Sequence, residues 1–543
     1  MDEPLVCQYS PRDHWLLPPI LVLATLLRLW QINESLWLDE LHSAWVVSAG
    51  LGQVAERAHI GNQSPLYFYL LWATTSLFGM SEWALRLPSL VAGIGLVALA
   101  CGLAYRFTRS PIAAGACAML AALDHNFLFY ATEARPYACV QLIAAVQLYT
   151  FWNLQAAAPV HRRVAFVASS VLLFYLHYTA ILLVAGEVIY LLTRSWCARQ
   201  RIDGLPYTCR KLAIDLLCIV ALTLPMAAHV FDIGTRRNAW ASFVNNTSLL
   251  LPANWFSLVS YVVAPLGICL VGAVVCRVRG KSYKRDFEWQ PACLLACWLG
   301  VPLAIVWLAT ITKVAPLYLG RYVIGAALAP VLFTGLCVGV WVSRRSQTLV
   351  TGLVIAYAVY AGGMIQQFRD DGRLFGDRVE NWREAISYVN ENRAEDSPVF
   401  VRSGLLEADR IATDDSKQLR DYCVLPVTSI YRIDGPASEI LPLKTRNAGE
   451  LTKEDVKRIE DSRKAWFIIN GTTATRERCT QRIVESLAKE IKKPTYSEYQ
   501  QGWLSDERQF GHVGVFAVEI FLIDDQVTPL DDQPTSPNSS APP

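Results

Sequence analysis

Long apolar runs recur through the first two thirds of this sequence, and they restrict the fold more than any other feature. A helix crosses the hydrocarbon core of a bilayer with about 20 mostly apolar residues. Such runs lie at 15–32, 86–105, 111–130, 137–154, 164–177, 179–193, 211–231, 257–276, 289–311, 322–343 and 348–366. Because 53% of all residues are hydrophobic and only 18% are charged, the sequence predicts an α-helical polytopic membrane protein with about eleven spans.

Three segments refine this count. The apolar stretch from 164 to 193 is too long for one span, and 175-YLHYTA-180 interrupts it, so we predict a tight hairpin there. The run 65–79 is short, aromatic and opens with Pro65, which favours an interfacial or re-entrant helix. The run 15–32 contains Arg28 and lacks a cleavage site of small residues, so we expect a retained span rather than a cleaved signal peptide.

Lys and Arg residues give the orientation, because cytoplasmic loops carry an excess of them. With the N-terminus inside, the inner loops contain Arg106, Arg109, Arg162, Arg163, Arg194, Arg199, Arg201, Arg210, Lys211, Arg277, Arg279, Lys281, Lys284, Arg285, Arg344 and Arg345. The segments predicted to face the outside are 33–85, 131–136, 232–256, 312–321 and everything after 366. This places the protein in the cell (inner) membrane as a multi-pass protein.

The sequence changes character after residue 366, where charged residues become frequent. Short β-like runs at 398–402, 465–469 and 513–523 alternate with amphipathic helical stretches at 381–392 and 479–493. We therefore divide the chain into a membrane domain (1–366, with the first outer loop at 33–85), an extracytoplasmic α/β domain (367–523) and a disordered tail (524–543). Cys423 and Cys479 fall in the outer domain, where a disulfide and two free thiols are both compatible with the sequence.

Charge and cysteine usage limit the partners. The net charge of +2 does not support nucleic-acid binding, so membrane lipids and small molecules are the expected partners. Most of the 14 cysteines lie within apolar runs, where a thiol behaves as a small hydrophobic group. The sequence contains no Cys-x-x-Cys or Cys/His spacing that predicts a structural metal.

The stretch 36-LWLDELHSAWV-46 places two adjacent carboxylates just outside the first span. Aromatic belts at membrane surfaces account for Trp37 and Trp45, but they do not call for an acidic pair. Ionisable groups near the membrane boundary are functional candidates. Asp39 and Glu40 are therefore candidate catalytic residues, against the alternative that they only mark the membrane surface.

Two further outer segments carry cations and polar rings. The segment 132-TEARPYA-138 contains Glu133, Arg135 and Tyr137, and 318-YLGRYV-323 contains Arg321 and Tyr322. Arginine suits phosphate binding. The alternative is that these are ordinary interfacial residues, a tyrosine at the membrane surface and an arginine whose side chain reaches out to water. The sequence also places His177 at the predicted hairpin tip, where an ordinary interfacial role is the alternative. Together these groups suit the transfer of a group from a lipid phosphate, with a carboxylate as base and cations stabilising the departing phosphate.

Seven short motifs, in this order and spacing, resemble bacterial GT-C glycosyltransferases of the protein O-mannosyltransferase and aminoarabinose transferase type. They are 36-LWLDE-40, 62-NQSPLYFYLLW-72, 85-LRLPSLVAG-93, 133-EARPYA-138, 176-LHYTA-180, 320-GRYVIGAALAP-330 and 381-NWREAISYV-389. The resemblance implies an inverting enzyme that uses a polyprenyl-phosphate sugar on the outer face of the membrane. It implies Asp39 as the base with Glu40 as its neighbour, Glu133 as the acidic residue of the second outer loop, and Arg321 with Tyr322 at the donor phosphate.

The sequence departs from this family at two positions. The His-Pro-Pro-Leu-Tyr element of the family appears here as Gln63-Ser64-Pro65-Leu66-Tyr67. The missing histidine argues against an acid or metal role at this site, while the Gln63 amide is able to hydrogen-bond a sugar. His177 lies where many relatives have a lysine, which implies a weaker or pH-dependent phosphate contact. We expect no cofactor and no metal, because no Asp-x-Asp motif is present, although some GT-C enzymes use a divalent metal.

The sequence thus predicts a membrane glycosyltransferase with Asp39 as base, Arg135 and Arg321 near the donor phosphate, and Glu133 and Gln63 orienting the sugar or the acceptor. Its partners are the polyprenyl-phosphate sugar donor and a glycan, lipid or protein acceptor. Two alternatives remain. A transporter or flippase of lipid-linked sugars also needs many spans and polar groups facing a cavity, and a non-catalytic scaffold agrees with the departures at Gln63 and His177.

Overall fold

The computed structural model describes residues 16–198, 207–236, 244, 246–278, 287–376, 378–411, 413, 416–446, 449–491, 505 and 507–520. The chain forms two compact units, of which the first comprises Met1–Arg383 and Leu425–Arg432 and the second Glu384–Val424 and Ile433–Pro543. The division predicted at residue 366 stays a prediction. The predicted tail, 524–543, lies outside the described residues.

The first unit is helical. Its helices are α1 (Leu17–Leu29), α2 (Leu38–Ser48), α3 (Val54–Ile60), α4 (Leu66–Phe78), α5 (Glu82–Thr108), α6 (Pro111–Leu123), α7 (His125–Ala131), α8 (Tyr137–Ala156), α9 (Val160–Leu176), α10 (Leu182–Ala198), α11 (Cys209–Thr223), α12 (Ala227–Arg236), α13 (Leu251–Trp255), α14 (Ala264–Val278), α15 (Trp289–Ile311), α16 (Leu328–Gly339), α17 (Arg344–Ala361) and α18 (Met364–Asp371). A π-helix, Val259–Val263, precedes α14, and a 3-10 segment, Gly320–Ala327, precedes α16.

Each of the eleven predicted spans falls on a helix. Within the described residues, six helices are long and apolar enough to cross a membrane, or up to eight if each of two bent pairs counts as one span. The other three runs form α1, α8 and α9, which are too short or too polar for the same criterion. The chain is therefore a multi-pass membrane protein, while the count of eleven stays a prediction.

Local breaks in the helices follow the sequence. Helix α9 ends at Leu176, His177 is extended, and a 3-10 turn at Tyr178–Ile181 leads into α10, so the predicted break is present. Helix α4 has only 13 residues and begins directly after Pro65. This length agrees with the short helix predicted at 65–79, whose position relative to the membrane stays a prediction.

Close helix packing in the first unit depends on small residues. Gly186 in α10 lies against the backbone of α15, where an added Cβ would approach the carbonyl oxygen of Cys297 to 2.6 Å. Next to it, the carboxyl group of Glu187 is fully buried and accepts a 2.6 Å hydrogen bond from the Gln147 amide of α8. These contacts join α8, α10 and α15 in the helical core.

The second unit contains a five-stranded sheet. Helix α19 (Trp382–Asn392) begins at the boundary between the two units, and the unit continues with β1 (Val399–Arg402), α20 (Lys417–Cys423), β2 (Ile440–Pro442), α21 (Lys453–Ser462), β3 (Lys464–Asn470), α22 (Thr473–Ile491), β4 (Arg508–Phe510) and β5 (Val513–Glu519). The strand order is β2-β1-β3-β5-β4, with β1 parallel to β2 and β3, and β5 antiparallel to β3 and β4. The predicted small α/β region at the C-terminal end is confirmed.

A stacked row of aromatic rings fills one face of this sheet. The Phe467 ring of β3 lies 5.0 Å from the Phe400 ring of β1 and 5.2 Å from the Phe516 ring of β5, nearly parallel to both. The two cysteines of this unit, Cys423 and Cys479, are buried and free. The structure therefore agrees with the two unpaired thiols that the sequence left as one of two alternatives.

Candidate active site

Asp39 lies between two guanidinium groups contributed by distant parts of the chain. Its Oδ2 atom is 3.8 Å from Nη2 of Arg135 and 3.9 Å from Nη1 of Arg321. The Asp39 side chain is 30% exposed and that of Arg321 32%, whereas Arg135 is buried. The structure thus brings together three of the predicted site residues, with the carboxylate accessible to a ligand.

Glu40 points the other way, into the protein. Its carboxylate is fully buried and forms a bidentate ion pair with Arg86 of α5, at 2.7 Å to Nε and 2.6 Å to Nη2. Burial alone would raise the pKa of Glu40, but the Arg86 and Arg378 guanidinium groups outweigh it and keep the pKa below its ordinary value. The adjacent carboxylates, predicted together as catalytic, therefore have different surroundings, and those of Glu40 favour a structural role.

Arg86 also fixes the chain that leads into α2. Its Nη1 donates to the carbonyl oxygens of Ile32 and Glu34 at 2.8 and 2.7 Å. At the beginning of the helix, the Leu38 backbone N–H donates to the Glu380 carboxylate at 2.8 Å. A carboxylate at a helix N-terminus satisfies an unpaired donor and stabilises the helix dipole. The position of Asp39 is consequently set by its immediate neighbours in sequence.

The segment 132–136, between α7 and α8, is held by hydrogen bonds with Glu40, Ser89 and Arg378, among others. The Ala134 N–H donates to Glu40 Oε1 at 2.8 Å, and the Ser89 hydroxyl donates to the Arg135 carbonyl at 3.0 Å. Arg378 donates to the Thr132 carbonyl at 2.7 Å. The Glu40 carboxylate therefore orders both α2 and the segment that carries Arg135.

Glu133 is buried, with 1% of its surface exposed, and its Oε2 atom has no hydrogen-bond partner within the described residues. Burial raises the pKa of the Glu133 carboxyl to about 8, and the nearby Glu40 carboxylate adds to the rise. Glu133 is therefore mostly protonated at neutral pH, when it can donate a hydrogen bond as well as accept one.

His42 lies one helical turn after Asp39 and contacts Arg135. Its Nδ1 is 3.3 Å from Arg135 Nη1, and since a guanidinium only donates, Nδ1 accepts and the ring proton lies on Nε2. Burial, together with the charge of Arg135, lowers the pKa of His42 to about 3, so the ring is neutral.

Trp45, which the sequence placed in an aromatic belt at the membrane surface, is buried. The Arg57 guanidinium lies 4.4 Å from the centre of its ring.

Three predicted site residues form a row of rings beside the arginines. The His177 ring lies 6.1 Å from that of Tyr137 and 5.9 Å from that of Tyr322, measured between centroids. Thr179 connects this row to the 3-10 segment, because its hydroxyl donates to the Tyr322 carbonyl at 2.8 Å. The Arg321 guanidinium is 5.6 Å from the centre of the Tyr322 ring. The segments 137, 177–179 and 321–322 are thus neighbours in the structure.

The two remaining predicted residues are Gln63, just before α4, and Tyr67, in the first turn of α4. Tyr67 is buried, and its hydroxyl lies 3.1 Å from that of Ser89, which in turn bonds the Arg135 carbonyl. Gln63 is half-buried, and its side-chain amide makes no hydrogen bond within the described part of the chain. Tyr67 therefore supports the segment that carries Arg135, while the Gln63 amide is open to a ligand.

Sequence reasoning missed Arg86, Arg378 and His42. An arginine inside an apolar run, as in 85-LRLPSLVAG-93, was the available signal for Arg86, because such a charge requires a buried partner. Nothing in the sequence pairs Arg378 with Glu34 and Glu40, which it approaches to 3.3 and 3.5 Å.

Over the described ranges, no group of three or more His, Cys, Asp or Glu side chains is arranged to hold a metal ion. Metal independence stays a prediction.

Comparison with known proteins gives one family match and several structural matches. A model of the dolichyl-phosphate-mannose-protein mannosyltransferase family matches residues 62–230. A search of curated proteins finds no match.

Two crystal structures of ArnT from Cupriavidus metallidurans share the fold over nearly the whole chain. The structure with bound undecaprenyl phosphate is 13% identical, with a TM-score of 0.52, covering 92% of this chain and 97% of ArnT. The apo structure is 12% identical, with a TM-score of 0.53, covering 94% and 98%. An Archaeoglobus fulgidus oligosaccharyltransferase matches at a TM-score of 0.46 and 12% identity, covering 96% of this chain and 76% of its own. The resemblance to GT-C proteins inferred from the motifs is confirmed.

Proposed function

We propose that the protein is an inverting glycosyltransferase that moves a sugar from a polyprenyl-phosphate donor to an acceptor hydroxyl on the outer face of the membrane. The family match at 62–230 and the ArnT fold support a glycosyltransferase. The observation that carries the proposal is the position of the accessible Asp39 carboxylate between the guanidinium groups of Arg135 and Arg321.

Asp39 acts as the general base in this proposal. Its carboxylate takes the proton of the acceptor hydroxyl while the acceptor oxygen forms a bond to the anomeric carbon. The bond between that carbon and the phosphate oxygen breaks on the opposite face, and its electron pair stays on the phosphate. One displacement of this kind inverts the anomeric centre.

Arg135 and Arg321 stabilise the phosphate as its negative charge grows. Without donor, the Asp39 carboxylate is their shared counter-ion at 3.8 and 3.9 Å, which is loose for an ion pair. A lipid phosphate accepts bidentate hydrogen bonds from a guanidinium and is the stronger ligand. Arg321 is half-exposed and binds the phosphate directly, whereas the buried Arg135 acts mainly by its charge.

The other residues bind the substrates or hold the site in position. Protonated Glu133 and the free amide of Gln63 supply hydrogen bonds for the sugar or the acceptor. The buried Glu40–Arg86 pair acts through its hold on α2 and on the Arg135 segment, so both are positioning residues. The donor class rests on the ArnT structure, whose bound ligand is undecaprenyl phosphate.

The test uses purified full-length protein in nanodiscs with a polyprenyl-phosphate donor labelled in the sugar. We expect label to move to a hydroxyl acceptor from a cell-envelope fraction, with one polyprenyl phosphate released per sugar and inverted anomeric configuration. A transporter or flippase would leave the label on the lipid and move it across a sealed vesicle instead. A scaffold would do neither, and either result would refute the proposal.

A further inference from the structure

A cavity of about 270 Å³ lies in the first unit, among helices distinct from those that carry Asp39. Two bends and a π-helix border it. Helices α6 and α7 bend by 60° around Asp124, and α17 and α18 by 45° at Gly362–Gly363. The lining also includes Tyr261 of the π-helix. Within a membrane, backbone departs from the α-helix where it is buried in protein or lines a cavity, and such breaks mark binding sites.

The bend at Asp124 is stabilised on both sides. Arg28 of α1 donates to the carbonyl oxygens of Ala121 and Ala122 at 3.2 and 3.3 Å, and these are acceptors that the end of α6 leaves unpaired. The Asp124 carboxylate caps α7 by accepting from the Phe127 N–H at 3.1 Å. Buried polar groups of α1 and of the α6–α7 junction therefore stabilise the bend.

Asp124 presents a nearly buried carboxylate to the cavity. It is 7% exposed and accepts hydrogen bonds from the backbone N–H groups of Asn126 and Phe127 and, at 2.7 Å, from the Tyr261 hydroxyl. Among the described residues no cation lies within 4 Å of it, and Arg28 of α1 and His125 act on it electrostatically at longer range. A carboxylate has about four acceptor sites, so Asp124 has capacity for a further donor, and a bound ammonium would supply the close counter-charge that a buried carboxylate requires.

The cavity opens toward the outer surface of apolar helices. Its lining residues Val259 and Tyr357 are 49% and 38% exposed, and they belong to the segments 257–276 and 348–366, predicted as spans. Asn254 and Ser257 line the same cavity and offer polar groups to a phosphate. A ligand therefore enters from the lipid, and the volume fits a headgroup rather than a whole lipid.

We propose that this cavity binds the primary ammonium headgroup of a membrane phospholipid, with the ammonium hydrogen-bonded to Asp124. The proposal is independent of the transfer reaction at Asp39.

Native mass spectrometry of the full chain from nanodiscs with equal amounts of phosphatidylethanolamine, phosphatidylglycerol and phosphatidylcholine tests it. We expect phosphatidylethanolamine to be retained at least about fivefold over phosphatidylcholine, which lacks a donor, because charge-assisted bonds are worth more than neutral ones. Asp124→Asn should remove the preference. Glu187→Gln, which changes another buried carboxyl far along the chain in α10, should keep it.

A second variant tests the same proposal independently, in case Asp124→Asn does not fold. Ala358→Phe fills the cavity from α17 and leaves Asp124 in place, and it should also remove the preference. Equal retention of phosphatidylethanolamine and phosphatidylcholine by the wild type would overturn the proposal. Equal retention of phosphatidylglycerol and phosphatidylethanolamine would also overturn it, since hydroxyl donors would then suffice.

Discussion

The Oδ2 atom of Asp39 is where three separate segments of this chain meet, since Arg135 and Arg321 lie within 4 Å of it. In the proposed reaction, Asp39 is both the base and the counter-ion of the two arginines that would bind the donor phosphate. When the donor phosphate takes over the guanidinium groups, the carboxylate is released to bind the acceptor hydroxyl. Donor binding would thereby prepare the base.

Glu133 gives the reaction an alkaline limit in our account. Its raised pKa of about 8 means that the carboxyl is protonated below pH 8 and loses its hydrogen-bond donor as pH rises through that value. We expect transfer activity to fall above pH 8 with a midpoint set by this group. Rates measured from pH 6 to 9.5 check it.

Glu133→Gln provides the control, because a neutral amide keeps a donor at every pH. That variant should retain activity above pH 8, where the wild type loses it. If both proteins lose activity above pH 8 to the same extent, the proposed role of Glu133 is wrong.

The buried Glu40–Arg86 pair joins α2 to α5, and its loss should destabilise the protein. Glu40→Gln leaves the fully buried Arg86 guanidinium without its carboxylate, which costs about 3 to 5 kcal/mol in free energy of unfolding. Denaturant unfolding in detergent micelles measures it. Replacing both partners, Glu40→Leu with Arg86→Met, should recover only part of the stability, because the Ala134 N–H and Arg378 still lose the Glu40 carboxylate.

Glu454→Gln is the matched control, because it breaks the exposed pair with Arg458 in α21 and should change stability little. If Glu40→Gln is as stable as that control, the pair does not hold α2 in place.

The contact of α10 with α15 depends on Gly186. Gly186→Ala would place a Cβ 2.6 Å from the Cys297 carbonyl oxygen and 2.9 Å from the Trp298 Cα, so we expect a loss of about 1 to 3 kcal/mol from overpacking. Gly102→Ala in α5 meets nothing within 4 Å and should be neutral or slightly stabilising. Thermal unfolding of the two variants compares them, and equal melting temperatures would contradict the contact.

The sequence predicted the helices and singled out the short polar segments between them, because both are visible in the local pattern of apolar and polar residues. Apolar runs place helices such as α5 and α15 without knowledge of their neighbours. The roles within 36-LWLDE-40 could not be read in the same way. Asp39 and Glu40 have different surroundings, because Asp39 faces the partly exposed Arg321 and the buried Arg135, and Glu40 faces a buried arginine from α5, 46 positions later. Such a partner is visible only in the folded chain.

The predicted orientation of the whole chain can be measured with two cysteine variants. Thr312 and Arg344 are both exposed, at opposite ends of the segment that contains α16. A membrane-impermeant maleimide should label Thr312→Cys in intact cells and Arg344→Cys only after lysis, because the Lys/Arg distribution places residue 312 outside. The wild-type protein controls for native exposed thiols such as Cys209. The reverse pattern would place the candidate site on the cytoplasmic face.

The most direct test of the whole account is the rate of sugar transfer from polyprenyl phosphate by purified Asp39→Asn, with the exposed Asp370→Asn of α18 as control. We predict that Asp39→Asn loses about 10² to 10⁴ in rate while it folds and inserts like the wild type, and that Asp370→Asn stays fully active. Wild-type transfer by a folded Asp39→Asn protein would contradict the account.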